Sequence, residues 1–147
     1  MRLVTVIAAC AALAFITSAQ SAPTDSSTTA RALVENGIKA YKQGAAENAI
    51  KVWIKGSALE ANPQALTQAN SLRQIEDFYG KPVSVDIVKE YEAGPKVRVL
   101  YATINYQKGA AFAKFQVYQV PSGQWVSTQF FFHTDAAQIF PPCLFPN

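Results

Sequence analysis

His133 is the chain's only histidine, and it stands two residues before Asp135 at the end of an apolar run. On a strand, residues two apart lie on the same face, so the carboxylate could orient the imidazole ring for proton transfer. No serine or cysteine nucleophile accompanies the pair. The pattern is therefore more typical of a polar strand end than of a catalytic group, and we predict no catalytic residue with it.

Metal chemistry has little support in the sequence. One histidine excludes a site built on two, and no Cys-x-x-Cys pair occurs. Glu76 and Asp77 are the carboxylates that come closest to a cluster. Adjacent residues on a helix point in different directions, so these two cannot easily hold one ion. We therefore predict neither a bound metal nor a cofactor.

The charge balance gives no indication of nucleic-acid binding. The chain carries 13 lysines and arginines against 10 aspartates and glutamates, and no dense basic cluster occurs along it. Lys96 and Arg98 stand among apolar residues and fit the solvated face of a strand. We therefore expect no nucleic-acid partner.

The first residues have the three-part organisation of a secretory signal peptide. Arg2 supplies the positive charge, residues 3–16 are almost continuously apolar, and small residues follow. The apolar run is too short for an ordinary membrane-spanning helix. We therefore predict a signal peptide over residues 1–22, cleaved near residues 19–22, and a periplasmic or secreted protein with no membrane span after cleavage.

Cleavage would remove Cys10 and leave Cys143 as the single cysteine, which excludes an intramolecular disulfide. The hydrophobic core must then hold the domain together unaided, for which about 125 residues suffice. The neighbours Pro142, Leu144 and Phe145 favour apolar packing of the thiol over an intermolecular bridge.

Apolar spacing predicts three helices in the first half of the mature chain. The first begins at Ala30, after a polar leader whose hydroxyl side chains can cap it, and the second begins at Glu47. Asn62 can cap the third, in which Pro63 at the first helical position loses no needed hydrogen bond. Gly80 closes the third helix.

The second half changes to the two-residue period of strands. Short turns separate the apolar and aromatic runs, so consecutive strands are antiparallel neighbours. We predict an α+β fold, with three N-terminal helices packed on one face of a four-stranded antiparallel meander sheet of cone-like shape. The single domain spans residues 30–141, between a flexible leader over residues 23–29 and a C-terminal tail over residues 142–147.

One face of the predicted sheet mixes aromatic rings with polar groups. In the last two strands this face is predicted to carry Phe112, Lys114, Gln116, Tyr118, Trp125, Ser127, Gln129 and Phe131. A cavity lining or an association surface has this composition, although scattered surface aromatics are common too. The candidate binding residues are Tyr101, Phe112, Tyr118, Trp125, Gln129 and Phe131.

Several segments resemble the nuclear-transport-factor-two-like, or cystatin-like, superfamily, and more narrowly its uncharacterised exported bacterial members. They are Leu-Arg-Gln-Ile-Glu-Asp-Phe-Tyr-Gly at 72–80, Tyr-Ala-Thr-Ile-Asn-Tyr-Gln-Lys-Gly at 101–109, Trp-Val at 125–126, Phe-His-Thr-Asp at 132–135 and Ile-Phe-Pro at 139–141. The resemblance implies a cone that binds ligands in some members, dimerises through the sheet in many, and catalyses acid/base reactions in a few.

Three functional hypotheses follow. The favoured one is an exported non-enzymatic domain that binds a small apolar ligand or a protein partner, including a second copy of itself, through the aromatic sheet face. Ketosteroid-isomerase-type members imply an acid/base enzyme, in which Asp77 or His133 acts and a tyrosine assists; such an aspartate needs apolar burial to tune its pKa. Residues 41–63 are similar to one tetratricopeptide repeat, which implies a helical-hairpin adaptor using an exposed Trp53.

Overall fold

Three helices come first along the chain, and the two longer ones begin at side chains that cap them. In the computed structural model, which describes residues 29–145, the helices are α1 (Ala30–Gln43), α2 (Ala46–Ile54) and α3 (Pro63–Tyr79). The Thr29 hydroxyl accepts a hydrogen bond from the Ala32 amide, and the Asn62 side chain accepts one from the Gln64 amide. Each cap satisfies an amide that a first helical turn leaves without a partner.

Four strands follow and form one antiparallel sheet. They are β1 (Pro82–Gly94), β2 (Val97–Tyr106), β3 (Ala110–Gln119) and β4 (Trp125–His133). Consecutive strands are neighbours in the sheet, in the order β1-β2-β3-β4, because short turns connect them. The α+β class, with the N-terminal helices against a four-stranded antiparallel meander, is confirmed.

The hydrophobic core lies between the helices and one face of the sheet. The helices bury the stripe that their apolar spacing predicts, which is Ile50, Trp53, Ile54, Leu72 and Ile75. The strands bury every second residue of β2 and β3, namely Leu100, Ala102, Ile104, Ala111, Ala113, Phe115 and Val117. The two-residue period of a strand sends the intervening side chains to the opposite face, which is called the outer face below.

Trp53 joins the helices to the sheet. Its side chain is fully buried, and its indole Nε1 donates a hydrogen bond to the Val34 carbonyl oxygen of α1 at 3.2 Å. The ring centroid lies 4.9 Å from that of Phe115 and 5.6 Å from that of Phe132. On the helical side the indole packs directly on Gly37, where a Cβ atom would collide with it. A glycine in α1 is therefore required for the close approach of the two helices.

We expect Gly37→Ala to destabilise the protein. The collision with the indole should cost about 3 kcal/mol, which exceeds the roughly 1 kcal/mol that alanine gains in helix propensity. The free energy of unfolding in urea should therefore fall by about 2 kcal/mol. Gly94→Ala is the matched control, because no atom lies within 4 Å of a Cβ at that position. Equal stability of the two variants would contradict the role of Gly37.

Two buried tyrosines connect α1 to the sheet. The Tyr41 hydroxyl donates to the Leu72 carbonyl oxygen at 2.9 Å, and its ring meets the Tyr106 ring edge-on at 6.3 Å. Burial raises the pKa of Tyr106 to about 12 and raises the pKa of Tyr41 well above its usual range. The fold therefore holds both phenols in their neutral form.

Stability should fall as the pH rises above 10. An unfolded tyrosine loses its proton near pH 10, whereas folded Tyr106 keeps its proton until about pH 12. Over that interval the folded chain binds more protons than the unfolded chain, so each such tyrosine lowers the unfolding free energy by up to about 1.4 kcal/mol per pH unit. Tyr106→Phe should flatten this decline in urea unfolding between pH 10 and 12. An unchanged slope would be the contrary result.

Candidate interaction surface

The outer face of the sheet carries most of the residues that the sequence nominates for binding. Tyr101 of β2, Lys114 of β3 and Phe131 of β4 occupy one row across the strands. Gln116 and Gln129 are directly opposite each other in the next row. Rings and amide groups therefore alternate along this face, as the sequence predicts.

Trp125 lies on the other side of the sheet, which corrects the predicted face assignment. Gln116 pairs with Gln129 but Val117 pairs with Ser127, so Thr128 is an extra residue that forms a bulge in β4. Because of the extra residue, the β4 residues before the bulge point to the face of the sheet opposite to the one that strict alternation predicts. Ser127 is consequently fully buried, and Trp125 packs against the core.

Trp125 instead lines a cleft between the helices and the β3–β4 turn. This cleft has a volume of about 580 Å³, and Leu33 and Val52 lie on its helical side. The Arg98 guanidinium carbon is 5.5 Å from the centre of the Trp125 ring. Trp125 therefore cannot act together with Gln129 and Phe131 in one contact surface.

The chain's own C-terminal segment covers part of the outer face. After β4 the chain forms short 3₁₀ turns over Ala136–Gln138 and Pro142–Leu144. Between them, the Phe140 ring packs edge-on against Phe112 at 5.3 Å and Tyr101 at 5.9 Å. Tyr101 is left only 8% exposed although it lies on the face away from the helices. Two of the predicted binding residues are thus occupied by an intramolecular contact.

Beyond Asp135, side-chain contacts hold this segment on the sheet. Its backbone hydrogen bonds are internal, such as the Phe140 amide to the Ala136 carbonyl oxygen at 2.7 Å. Within residues 29–145, no hydrogen bond between two backbone groups joins residues 136–145 to a strand. Further along, the Cys143 sulfur is 3.8 Å from the Tyr91 hydroxyl, which places the free thiol at the β1 end of the face.

Three of the predicted residues remain open and adjacent. Gln129 is exposed, Tyr118 is half-buried, and Phe131 is 45% exposed. With Gln116 and Lys114, they form a contiguous area on β3 and β4, which is called the open patch below. The contacts of Phe140 divide the outer face into a covered part and an open part. In the sequence, the only indication that Phe140 covers the sheet is the short apolar stretch near the C-terminus to which it belongs.

The acid/base candidates lie at the surface. Asp77 and His133 are both exposed. The carboxylate whose two oxygens are buried is that of Glu47, which is paired with the Arg73 guanidinium. His133 Nδ1 accepts a hydrogen bond from the Asp135 backbone amide at 2.9 Å, whereas the Asp135 carboxylate accepts one from the Ala137 amide. The carboxylate therefore caps a turn instead of orienting the imidazole ring.

The structure also bears on the adaptor hypothesis, on metal binding and on membrane spanning. Trp53 is buried in the core, where its side chain cannot contact a partner, so the adaptor hypothesis loses the residue on which it relied. Residues 29–145 contain no group of three or more histidine, cysteine, aspartate or glutamate side chains placed to hold a metal ion. In the same part of the chain, no helix is long and apolar enough to cross a membrane.

Removing the Phe140 ring should uncover Tyr101 and destabilise the domain. We expect Phe140→Ala to lower the unfolding free energy by about 3 kcal/mol, since a buried phenylalanine loses its packing. Phe78→Ala is the control, because that ring is 76% exposed on α3 and lies away from the outer face, so its effect should stay within about 0.5 kcal/mol. Urea unfolding measures both values. A Phe140→Ala effect as small as that of the control would show that the C-terminal segment does not pack on the sheet.

Comparison with known proteins gives no assignment. No protein-family model, no curated protein and no solved structure matches the chain. The resemblance to the nuclear-transport-factor-two-like superfamily therefore stays a prediction, and the geometry of residues 29–145 is the basis for inferring a function.

Proposed function

We propose that this protein is an exported, non-enzymatic binding domain that associates with a second copy of itself through the open patch. The observation that carries the proposal is Phe131, a large ring that is 45% exposed on β4, the edge strand of an otherwise ordered sheet. Leaving such a ring in water forgoes the free energy of its burial. A contact that covers it would recover that free energy.

The composition of the open patch favours a protein partner. Aromatic residues are enriched and charged residues are depleted at the centres of interfaces. The one charged side chain of the patch, Lys114, is drawn towards the covered part of the face, because its Nζ lies 5.9 Å from the centre of the Tyr101 ring. Phe131, Tyr118 and the two glutamines are left as an uncharged centre.

The same patch is chemically complementary to its own copy. A two-fold interface brings identical surfaces together, so each polar group must find a partner within the same set. Glutamine amides and tyrosine hydroxyls both donate and accept hydrogen bonds. Gln116, Gln129 and Tyr118 can therefore pair across a two-fold axis while the Phe131 rings pack on each other. An extended sheet face also suits another protein better than a small ligand, which is usually enclosed in a concave site.

Membership of the nuclear-transport-factor-two-like superfamily is part of the proposal. Helices followed by a meander, with the helices on one face, fit that resemblance, and sheet-to-sheet dimers are expected for it. The signal-like segment, residues 1–22, supports export to the periplasm or outside the cell; it lies outside the described residues, together with leader residues 23–28. The exposure of Asp77 supports a binding role over acid/base catalysis, because a catalytic aspartate of that type needs burial.

Placing a positive charge in the open patch should dissociate the dimer. Under two-fold symmetry, Phe131→Lys brings two like charges together and weakens the dimer at least about tenfold. Light scattering after gel filtration should show the mass falling from two chains to one, with unchanged circular dichroism. Tyr118→Lys should act in the same direction.

Phe78→Lys is the control for this experiment, because Phe78 is exposed on α3, away from the sheet face. Its mass should remain that of the parent protein. A parent chain that is monomeric at all accessible concentrations, or a Phe131→Lys variant that remains dimeric, would refute the proposed interface.

A further inference from the structure

A second aromatic surface lies between the end of α3 and the exit of β4. It is a cleft of about 440 Å³ whose lining includes Phe78, Tyr79, Phe132, His133, Ser71 and Gln74. Phe78 is 76% exposed, more than any other large hydrophobic side chain in residues 29–145. Phe78 belongs neither to the core nor to the open patch, so neither of them accounts for the solvent exposure of its ring.

The walls of the cleft are anchored in the core. Phe132 packs on Trp53 at 5.6 Å and on Phe115 at 5.8 Å. The Tyr79 ring packs so closely on Gly109 that a Cβ there would collide with it. Only Phe78, whose ring meets that of Tyr79 edge-on at 5.0 Å, projects from this rigid base. The site is therefore preformed, with one free ring able to close on a bound molecule.

His133 supplies a hydrogen-bond donor to the lining of the cleft. Its Nδ1 accepts the hydrogen bond from the Asp135 amide at 2.9 Å, so the ring proton lies on Nε2. Nε2 is then a donor without an acceptor function. None of the residues that line the cleft is an aspartate, glutamate, lysine or arginine. A ligand matched to this lining is uncharged.

We propose that the cleft binds an uncharged planar aromatic molecule that carries a hydrogen-bond acceptor, such as a carbonyl group. The aromatic plane packs against Phe78 and Phe132, and the acceptor takes the hydrogen bond from His133 Nε2. Apolar rings with one or two placed polar groups are the usual lining of a small-molecule site, and the volume lies within the usual range. The site uses α3 and the end of β4, so it does not depend on dimerisation through the open patch.

A pair of ligands that differ by one heavy atom, the carbonyl oxygen, tests the proposal. Acetonaphthone and ethylnaphthalene share the aromatic plane, but only the ketone has an acceptor. Because His133 is the only histidine, its ring-proton NMR signals in the untagged full chain are unambiguous reporters. We expect acetonaphthone to shift these signals saturably and to bind about five- to tenfold more tightly than ethylnaphthalene.

Variants separate the two contributions, with binding measured by calorimetry. His133→Phe keeps a ring but removes the donor, so it should abolish the preference for the ketone. Phe78→Ala should weaken both ligands about tenfold. Phe131→Ala is the matched control, an exposed phenylalanine of the open patch, and should bind both ligands as the parent does. All three positions are exposed, so the variants are expected to fold.

Three results would overturn the proposal. They are equal affinity of the parent for the two ligands, no saturable binding up to the solubility limit, and the same loss of binding in Phe131→Ala as in Phe78→Ala. Light scattering on the same samples reports dimerisation separately, so failure of the interface and failure of the cleft are distinguishable.

Discussion

The packing of the Trp53 indole between the α1–α2 hairpin and the sheet is the interaction on which the other features depend. It requires Gly37 on one side and the rings of Phe115, Phe130 and Phe132 on the other. Filling this space with aromatic side chains closes the interior that a cone-shaped fold would use for a ligand. A ligand or partner must therefore bind outside the core, either on the outer face or where the end of α3 lies beside the end of β4.

The element order could be predicted from the sequence because it follows from local patterns. Helical spacing, the caps at Thr29 and Asn62, and strand alternation each act over a few residues, and all of them agree with the fold. The facing of Trp125 could not be predicted in this way. The alternation of apolar and polar residues along β4 does not indicate that Thr128 is an extra residue. The bulge is visible only in the pairing of β4 with β3. One unpaired residue is enough to move Trp125 from the predicted surface to the core side.

The division of the outer face escaped prediction for a related reason. The contacts of Phe140 with Tyr101 and Phe112 join distant parts of the chain, and no local pattern encodes them. The sequence predicted the aromatic composition of the face, and it placed Tyr118, Gln129 and Phe131 on that face. Which rings are covered depends on where the C-terminal segment turns after β4. His133 likewise gained a role, in the proposed cleft, from its position beside α3.

The C-terminal segment also limits how the outer face can be used. A fully uncovered face would expose Tyr101, Phe112 and Phe131 together, and large contiguous apolar surfaces promote nonspecific association. By covering two of these rings with Phe140, the chain leaves one exposed ring among amide groups. Amides require a geometrically matched partner, because an unpaired buried amide costs more than its hydrogen bond contributes. Covering the apolar part while leaving the amide-rich part open therefore favours one defined contact over many loose ones.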